Sequence, residues 1–244
     1  MPFDLAAVRA RLPDRQIDWF QSVNSTMTLA ARLARDGCPP GTVVGADGQV
    51  AGIGRHGHTW HSETDAGLYV SIVLRLPNAL PVVMLALGLA TQEAIHEVAG
   101  LAADLRWPND VLIDGRKCAG ILAQIEGPAI VAGIGINVNQ TMFPNDLDDI
   151  ATSLRMSGKA GVSREDLLVA LVNAVDNCCA QEPSAILETF ARASSYAQGR
   201  RVRVEQDGAM IEGVTCGLDE AGFLRVREDN GRESIILAGG VRPA

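Results

Sequence analysis

The sequence predicts an α+β fold: a mixed β-sheet flanked by helices, followed by a small β-barrel-like unit. Three observations predict it. Strand candidates at 105–107, 111–113, 118–125 and 130–136 come as a run and do not alternate strictly with helices, which disfavours a doubly wound parallel sheet. After Gly199 the pattern changes to period-two alternation, at Val202 and Val204, Leu224 and Val226, and 235–237. Hydrophobic residues make up 47% of the 244 residues and charged residues 20%, enough to bury one full core and a small appendage. The division expected is a domain over 1–197 and a second over 198–244.

In chain order, Asn24-Ser25-Thr26 offers a helix cap, Leu29, Ala30 and Leu33 an amphipathic stripe, and Gly37 a stop. Pro39-Pro40-Gly41 then separates this helix from a strand at 42–46. The segment 47–65 is rich in glycine and histidine and reads as a long loop. A buried strand is expected at 67–74 (GLYVSIVL), and a helix over 81–99 ending at Gly100. Asp114-Gly115 marks a hairpin turn. Ser163 with Asp166 resembles a capping box for a helix to about Cys179, and a further helix spans 183–192. Asp207-Gly208, Ala221-Gly222 and Asn230-Gly231 are turn signals in the last segment, and the charged run 228–233 reads as a solvated turn.

A net charge of −8 argues against nucleic acid as the main partner. The start of the chain lacks a basic, then apolar, export signal, and no stretch of about 18 uncharged apolar residues occurs, so a cytoplasmic protein is expected. The five cysteines form no CxxC spacing, and Cys178-Cys179 read as buried helix residues. Only Lys117 and Lys159 are lysines, so a lysine at any given place is a feature.

Three segments could carry chemistry. The loop with Gln49, Gly52, Ile53, Gly54, Arg55, His56, Gly57, His58 and Trp60 combines glycines that admit a close anion with an arginine that can grip one, although a plain surface loop has the same composition. It fits neither the dinucleotide fingerprint nor the Walker A pattern. Trp107-Pro108-Asn109-Asp110 interrupts two strands with hydrogen-bonding side chains, and seven residues on Lys117 enters an apolar strand. That lysine either points into a polar cleft or guards a sheet edge. Gly133-Ile134-Gly135-Ile136-Asn137 puts glycines inside a strand, where a ligand or another backbone must come close, and Asn137 suits an adenine edge. His56, His58 and His61 lack a carboxylate or cysteine framework for a metal, and no metal ligand is assigned.

Taken together, Ser25-Thr26, the loop 49–60, Trp107-Pro108-Asn109-Asp110, Lys117 with Gly120-Ile121-Leu122, and 133–139 resemble the biotin protein ligases in order and approximate spacing, over nearly the whole chain. The resemblance implies a class II synthetase-like catalytic fold with a C-terminal SH3-like domain. It implies that biotin and MgATP give biotinyl-5′-AMP and pyrophosphate, after which a lysine of the biotin carboxyl carrier protein of acetyl-CoA carboxylase takes the biotin. Catalysis then falls to Lys117 and Arg55. Biotin would meet Ser25, Thr26, Met27, Gln49, Gly52, Ile53, Gly54, Arg55, Trp60, Lys117, Gly120 and Gly133. ATP would meet Arg55, Asn109, Asp110, Lys117 and Asn137. The chain departs from the family's usual Gly-Arg-Gly-Arg-x-Gly-Arg loop at Ile53 and His58, and carries Met27 where asparagine is frequent and Arg106 where lysine is. Faster leakage of the adenylate is expected. The rivals are a lipoate or octanoyl transferase, a ligase that also represses transcription, for which too few residues precede Ser25, and a noncatalytic biotin binder. A homodimer through a sheet edge is possible in such a family.

Overall fold

The structure is a computed structural model that describes residues 3–77, 80–206 and 208–244. Asp207, in one expected turn, and Met1-Pro2 lie outside them, as does the side chain of His56.

Helix α1 (Leu5–Arg11) and strand β1 (Ile17–Phe20) open the chain, in a stretch for which the sequence offered no expectation. Next come α2 (Thr26–Arg35), β2 (Val43–Ala46), β3 (Gly67–Leu74), α3 (Leu80–Ala99), β4 (Asp104–Arg106), β5 (Asp110–Ile113), β6 (Arg116–Glu126) and β7 (Ala129–Asn137). Helices α4 (Arg164–Cys179) and α5 (Pro183–Ala193) lead to β8 (Gln198–Gln206), β9 (Ala209–Leu218), β10 (Leu224–Glu228), β11 (Glu233–Ile236) and β12 (Arg242–Pro243). The Ser163 hydroxyl accepts from the Asp166 amide at 3.0 Å, the capping contact expected at the start of α4. Between β2 and β3 the chain runs as the expected long loop, with one 3₁₀ turn at Arg55–Gly57.

The first sheet has the order β1-β2-β3-β7-β6-β5-β4. The β1–β2 pair is parallel and the others antiparallel, so the sheet is mixed. Its two faces divide by pleat parity. Leu68, Val70, Ile72 and Leu74 of β3, with Ile130, Ala132, Ile134 and Ile136 of β7, join the large core shared with α3 and α4. Val73 and Val131 point the other way, into a smaller cluster under Met27, Ala30, Ala31 and Ala34 of α2. The short α2 leaves part of that second face uncovered, and there the candidate site lies.

Helix α3 is long and apolar enough to cross a membrane, with a mean hydropathy of 1.3, yet 72% of that window is buried inside the protein. It is the central helix of the core. Cys178 and Cys179, at 5% and 6% exposure, are buried as expected, and burial pushes their thiols up to about 11 and about 12. The C-terminal strands form a five-stranded antiparallel sheet in the order β11-β10-β9-β8-β12.

Candidate active site

The floor of the site is main chain. On the face beside α2, β6 presents Gly120 and Leu122, and β7 presents Gly133 and Gly135. A methyl group added to Gly133 would meet the Met27 sulfur at 2.5 Å, and one added to Gly135 would meet the Trp60 indole at 2.5 Å. Gly120 is equally crowded, by Trp60 at 2.8 Å and by the Lys117 side chain at 2.9 Å. These glycines are what let an indole lie flat on a β-sheet. Gly135 was not singled out as a ligand position, although it stood in the motif.

Lys117 reaches this face through a bulge. By strict alternation it would share the core side with Ala119 and Ile121. Between β5 and β6 the register jumps from Val111↔Ala119 to Leu112↔Lys117, leaving Cys118 without a partner. The extra residue buries Cys118 and Ala119 in succession and turns Lys117 to the side of Gly120. Strand β6 lies between β5 and β7, so Lys117 is not the guard of a sheet edge.

The start of α2 corrects an expectation. Ser25 occupies the cap position, but its hydroxyl makes no capping bond. Instead the Gln49 side-chain oxygen accepts from the Thr26 amide at 2.9 Å and from the Thr26 hydroxyl at 3.2 Å, so residue 49 caps the helix from across the loop. Ser71 donates to the Thr26 hydroxyl at 2.8 Å. The Ser25 hydroxyl, 3% exposed, is left buried without a partner, as is the Trp60 indole N–H. Unpaired buried polar atoms are costly, and at a binding site they are ready for a ligand.

The loop is folded onto this floor. The Trp60 amide donates to the Gly52 carbonyl at 2.9 Å, and the Gly54 amide to the His58 carbonyl at 2.7 Å, which closes 52–60 into a narrow neck. Arg55 Nη1 donates to Asn109 Oδ1 at 2.9 Å and to the Gly239 carbonyl of the C-terminal segment at 3.4 Å. Burial lowers the Arg55 pKa, with Asp110 opposing, though a guanidinium remains charged. Ile53 stands 41% exposed, so no cation occupies that point of the loop.

Lys117 Nζ lies 2.5 Å from Asp110 Oδ1 and 5.4 Å from the Trp60 ring centre, while Arg106 holds Asp110 Oδ2 at 2.7 Å. Burial alone would raise the Asp110 pKa, but Lys117 and then Arg106 pull it below the ordinary 3.8. A carboxyl with a depressed folded pKa stabilises fully above its unfolded value and loses that contribution as pH falls through the folded one. Wild type should therefore exceed Asp110→Asn in stability by about 2 kcal/mol at neutral pH. In urea unfolding that gap should hold down to about pH 4 and shrink below it; a gap that grows on acidification contradicts the assignment.

Two cavities meet at these cations. A small one of about 50 Å³ is lined by Thr26, Met27, Gln49, Ile53, Gly54, Arg55, Trp60, Lys117, Gly120 and Gly133, and by Tyr69, Leu122 and Gly135, which the sequence did not assign to a ligand. An open cleft of about 680 Å³ is lined by Arg55, Asn109, Asp110, Lys117 and Asn137, and also by Arg106, His58, His61 and Arg242. Gly54, Arg55, Trp60, Asn109 and Lys117 belong to both. Ser25 and Gly52 line neither; the one lies at the base of α2 and the other in the neck of the loop. Asn109 is engaged by Arg55 and donates to the Ile121 carbonyl at 3.3 Å, and the Asn137 amide donates to the Thr152 carbonyl at 3.0 Å. Both asparagines thus build the wall as much as they face it. Arg242 gave no sequence signal, since nothing in a terminal strand marks it as facing a cleft.

The fit to a cation is poor. Among the described residues no group of three histidines, cysteines or carboxylates could hold a metal ion. Asp110, the one carboxylate beside Lys117, is already shared by two cations.

Residues 19–140 match the model of the biotin/lipoate A/B protein ligase family, and residues 198–239 the model of the biotin protein ligase C-terminal domain. The chain is 35% identical to a biotin--[acetyl-CoA-carboxylase] ligase of Mycobacterium tuberculosis, covering 93% of this chain and 88% of that one. It is 32% identical to the bifunctional ligase/repressor BirA of Bacillus subtilis, over 88% of this chain and 70% of that protein. Among solved structures, the biotin protein ligase of Aquifex aeolicus in complex with biotin and ATP superposes with a TM-score of 0.81, at 29% identity over 94% of this chain and 99% of the other. The mixed sheet therefore has its counterpart in a known family, and this chain belongs to it: the biotin/lipoate A/B protein ligases, in the branch of the biotin protein ligases.

Proposed function

We propose that the two cavities are the two halves of one reaction site, the small one for the biotin ring and the large one for ATP. The chain is an ATP-dependent biotin protein ligase, and the observation that carries the residue assignment is that Arg55 and Lys117 line both spaces. Biotin's carboxylate and the nucleotide's phosphates are both anions, so their approach needs a cation at the point of contact. The carboxylate oxygen attacks the α-phosphorus and pyrophosphate leaves. The amine of an acceptor lysine then attacks the acyl carbon, releasing AMP.

In this reading Thr26 and Gln49 hydrogen-bond the ureido ring from the cavity wall, and the unpaired Ser25 hydroxyl reaches it from the base of α2, just outside that wall. Met27, Gly133 and Gly120 shape its base, Trp60 and Ile53 flank it, and Gly52 and Gly54 let the loop close. Asn109 holds Arg55, Asp110 holds Lys117, and Asn137 closes the nucleotide wall. Mg²⁺ enters as part of MgATP, held by the phosphates and water, because the described residues offer no group of three carboxylates, histidines or cysteines for a metal.

The acceptor is the biotin carboxyl carrier domain of an acetyl-CoA carboxylase; the mycobacterial relative's name gives acetyl-CoA carboxylase as what it acts on. We further propose a boundary between 1–197 and 198–244, an SH3-like character for the C-terminal sheet, a cytoplasmic location, and a homodimer through an edge of the first sheet. Mass spectrometry of the protein incubated with Mg²⁺, ATP and either biotin or lipoate tests the substrate. Biotinyl-adenylate from biotin alone is expected, and lipoyl-adenylate would move the chain to the lipoate branch.

A further inference from the structure

The loop that carries Arg55 and Trp60 is fastened at its base by a side chain that lines neither cavity. Asp47 and Asp65 mark the two ends of this loop. The Asp65 amide donates to the Asp47 carbonyl at 3.0 Å, and the Asp47 amide to the Phe20 carbonyl at 2.9 Å. Against this backbone closure lies Arg164, the first residue of α4 and only 4% exposed. Its Nη1 donates to Asp47 Oδ1 at 3.0 Å, and its Nη2 to Asp65 Oδ1 at 3.4 Å. Trp19 donates to the same Asp47 oxygen at 3.2 Å, and the Phe3 ring centre lies 5.6 Å from the guanidinium carbon. Asp65 has a left-handed backbone with φ 63°, a conformation that persists only where its surroundings hold it.

We infer that Arg164 is a positioning residue for adenylation: one planar guanidinium ties both ends of the glycine-rich loop to α4 and thereby sets where Arg55 and Trp60 stand over the glycine floor. This rests on the ligase reading of the site. A loop with fastened ends samples fewer conformations, and small displacements of positioning groups cost rate out of proportion to their size. A buried arginine is otherwise an expensive choice where an apolar residue would pack. Lysine is a point charge and cannot span two carboxylates.

The experiment compares Arg164→Lys, Arg164→Met and Asp65→Asn in the full chain. It follows release of preformed biotinyl-adenylate, the KM and kcat of its formation, and the unfolding temperature. Asp65 is 57% exposed, and asparagine accepts a left-handed backbone, so Asp65→Asn should unfold close to wild type. It should nevertheless release adenylate about threefold faster, the effect of one exposed ionic contact. Arg164→Met should release it about tenfold faster. Arg164→Lys, which keeps only Asp47, should match Asp65→Asn, and the two combined should be no worse than either alone. Unchanged release in every variant, whatever the unfolding temperatures, would reduce Arg164 to a buried ion pair and overturn the inference. Should wild type form no biotinyl-adenylate at all, the ligase reading fails separately. Amide exchange across 48–64 then decides: faster exchange in Arg164→Met supports the tether, and equal exchange refutes it.

Discussion

Lys117→Met is expected to slow adenylate formation about 10³-fold, at the upper end of what one preorganised charge contributes to a transition state. Methionine nearly matches the length of the lysine stem and removes only the ammonium. Asp110 keeps its contacts with Arg106, at 2.7 and 3.2 Å, so the strand pair should survive. Arginine should restore little, because a planar fork cannot take the place of a point charge wedged between Trp60 and Asp110. Single-turnover pyrophosphate release is the assay. A fall in kcat and kcat/KM together assigns Lys117 to the transition state, whereas a raised KM at unchanged kcat would leave it a ground-state contact.

Gly135→Ala should weaken biotin binding about thirtyfold while leaving the ATP KM nearly unaltered, since overpacking a fitted site costs about 1–3 kcal/mol. The new methyl would stand 2.5 Å from the Trp60 indole, which also lies against Gly120, the strand neighbour of Gly135 on the same floor. The indole must tilt away and take the loop neck with it. Gly88→Ala in α3 is the control, because its methyl would meet Phe190 at an ordinary 3.7 Å. Calorimetric titration with biotin in the absence of ATP separates the two; equal affinities would mean that the indole can leave the floor without cost.

Most of the fold was legible because periodicity carries it. The strand at 67–74 appears with those bounds, and the helix after Ser25 ends at Arg35 just before Gly37. What the sequence hid were facts of register and partnership. Counting alternate residues sends Lys117 into the core, and nothing local announces the unpaired Cys118 that turns it round. A serine before a helix reads as a cap; that Gln49 supplies the cap and leaves Ser25 free is a contact across the sequence. Asn137 was read as a reader of adenine, and its amide also serves Thr152. Arg164 sat in a helix-start pattern where an exposed charge is the ordinary expectation, and its burial depends on two aspartates far earlier in the chain.

The C-terminal sheet has a part in this that its small size conceals. Arg55 shares its Nη1 between Asn109 and the Gly239 carbonyl, and the buried Trp107 indole donates to the Gly222 carbonyl at 3.0 Å. If a ligand alters the hold of Arg55 on Gly239, occupancy of the site and docking of that sheet become linked. Whatever factor a ligand adds to the grip between the sheets, the grip returns to the ligand's affinity. Loosening the sheet's hold on the loop, far from any bound atom, would be felt as a change in dissociation constant.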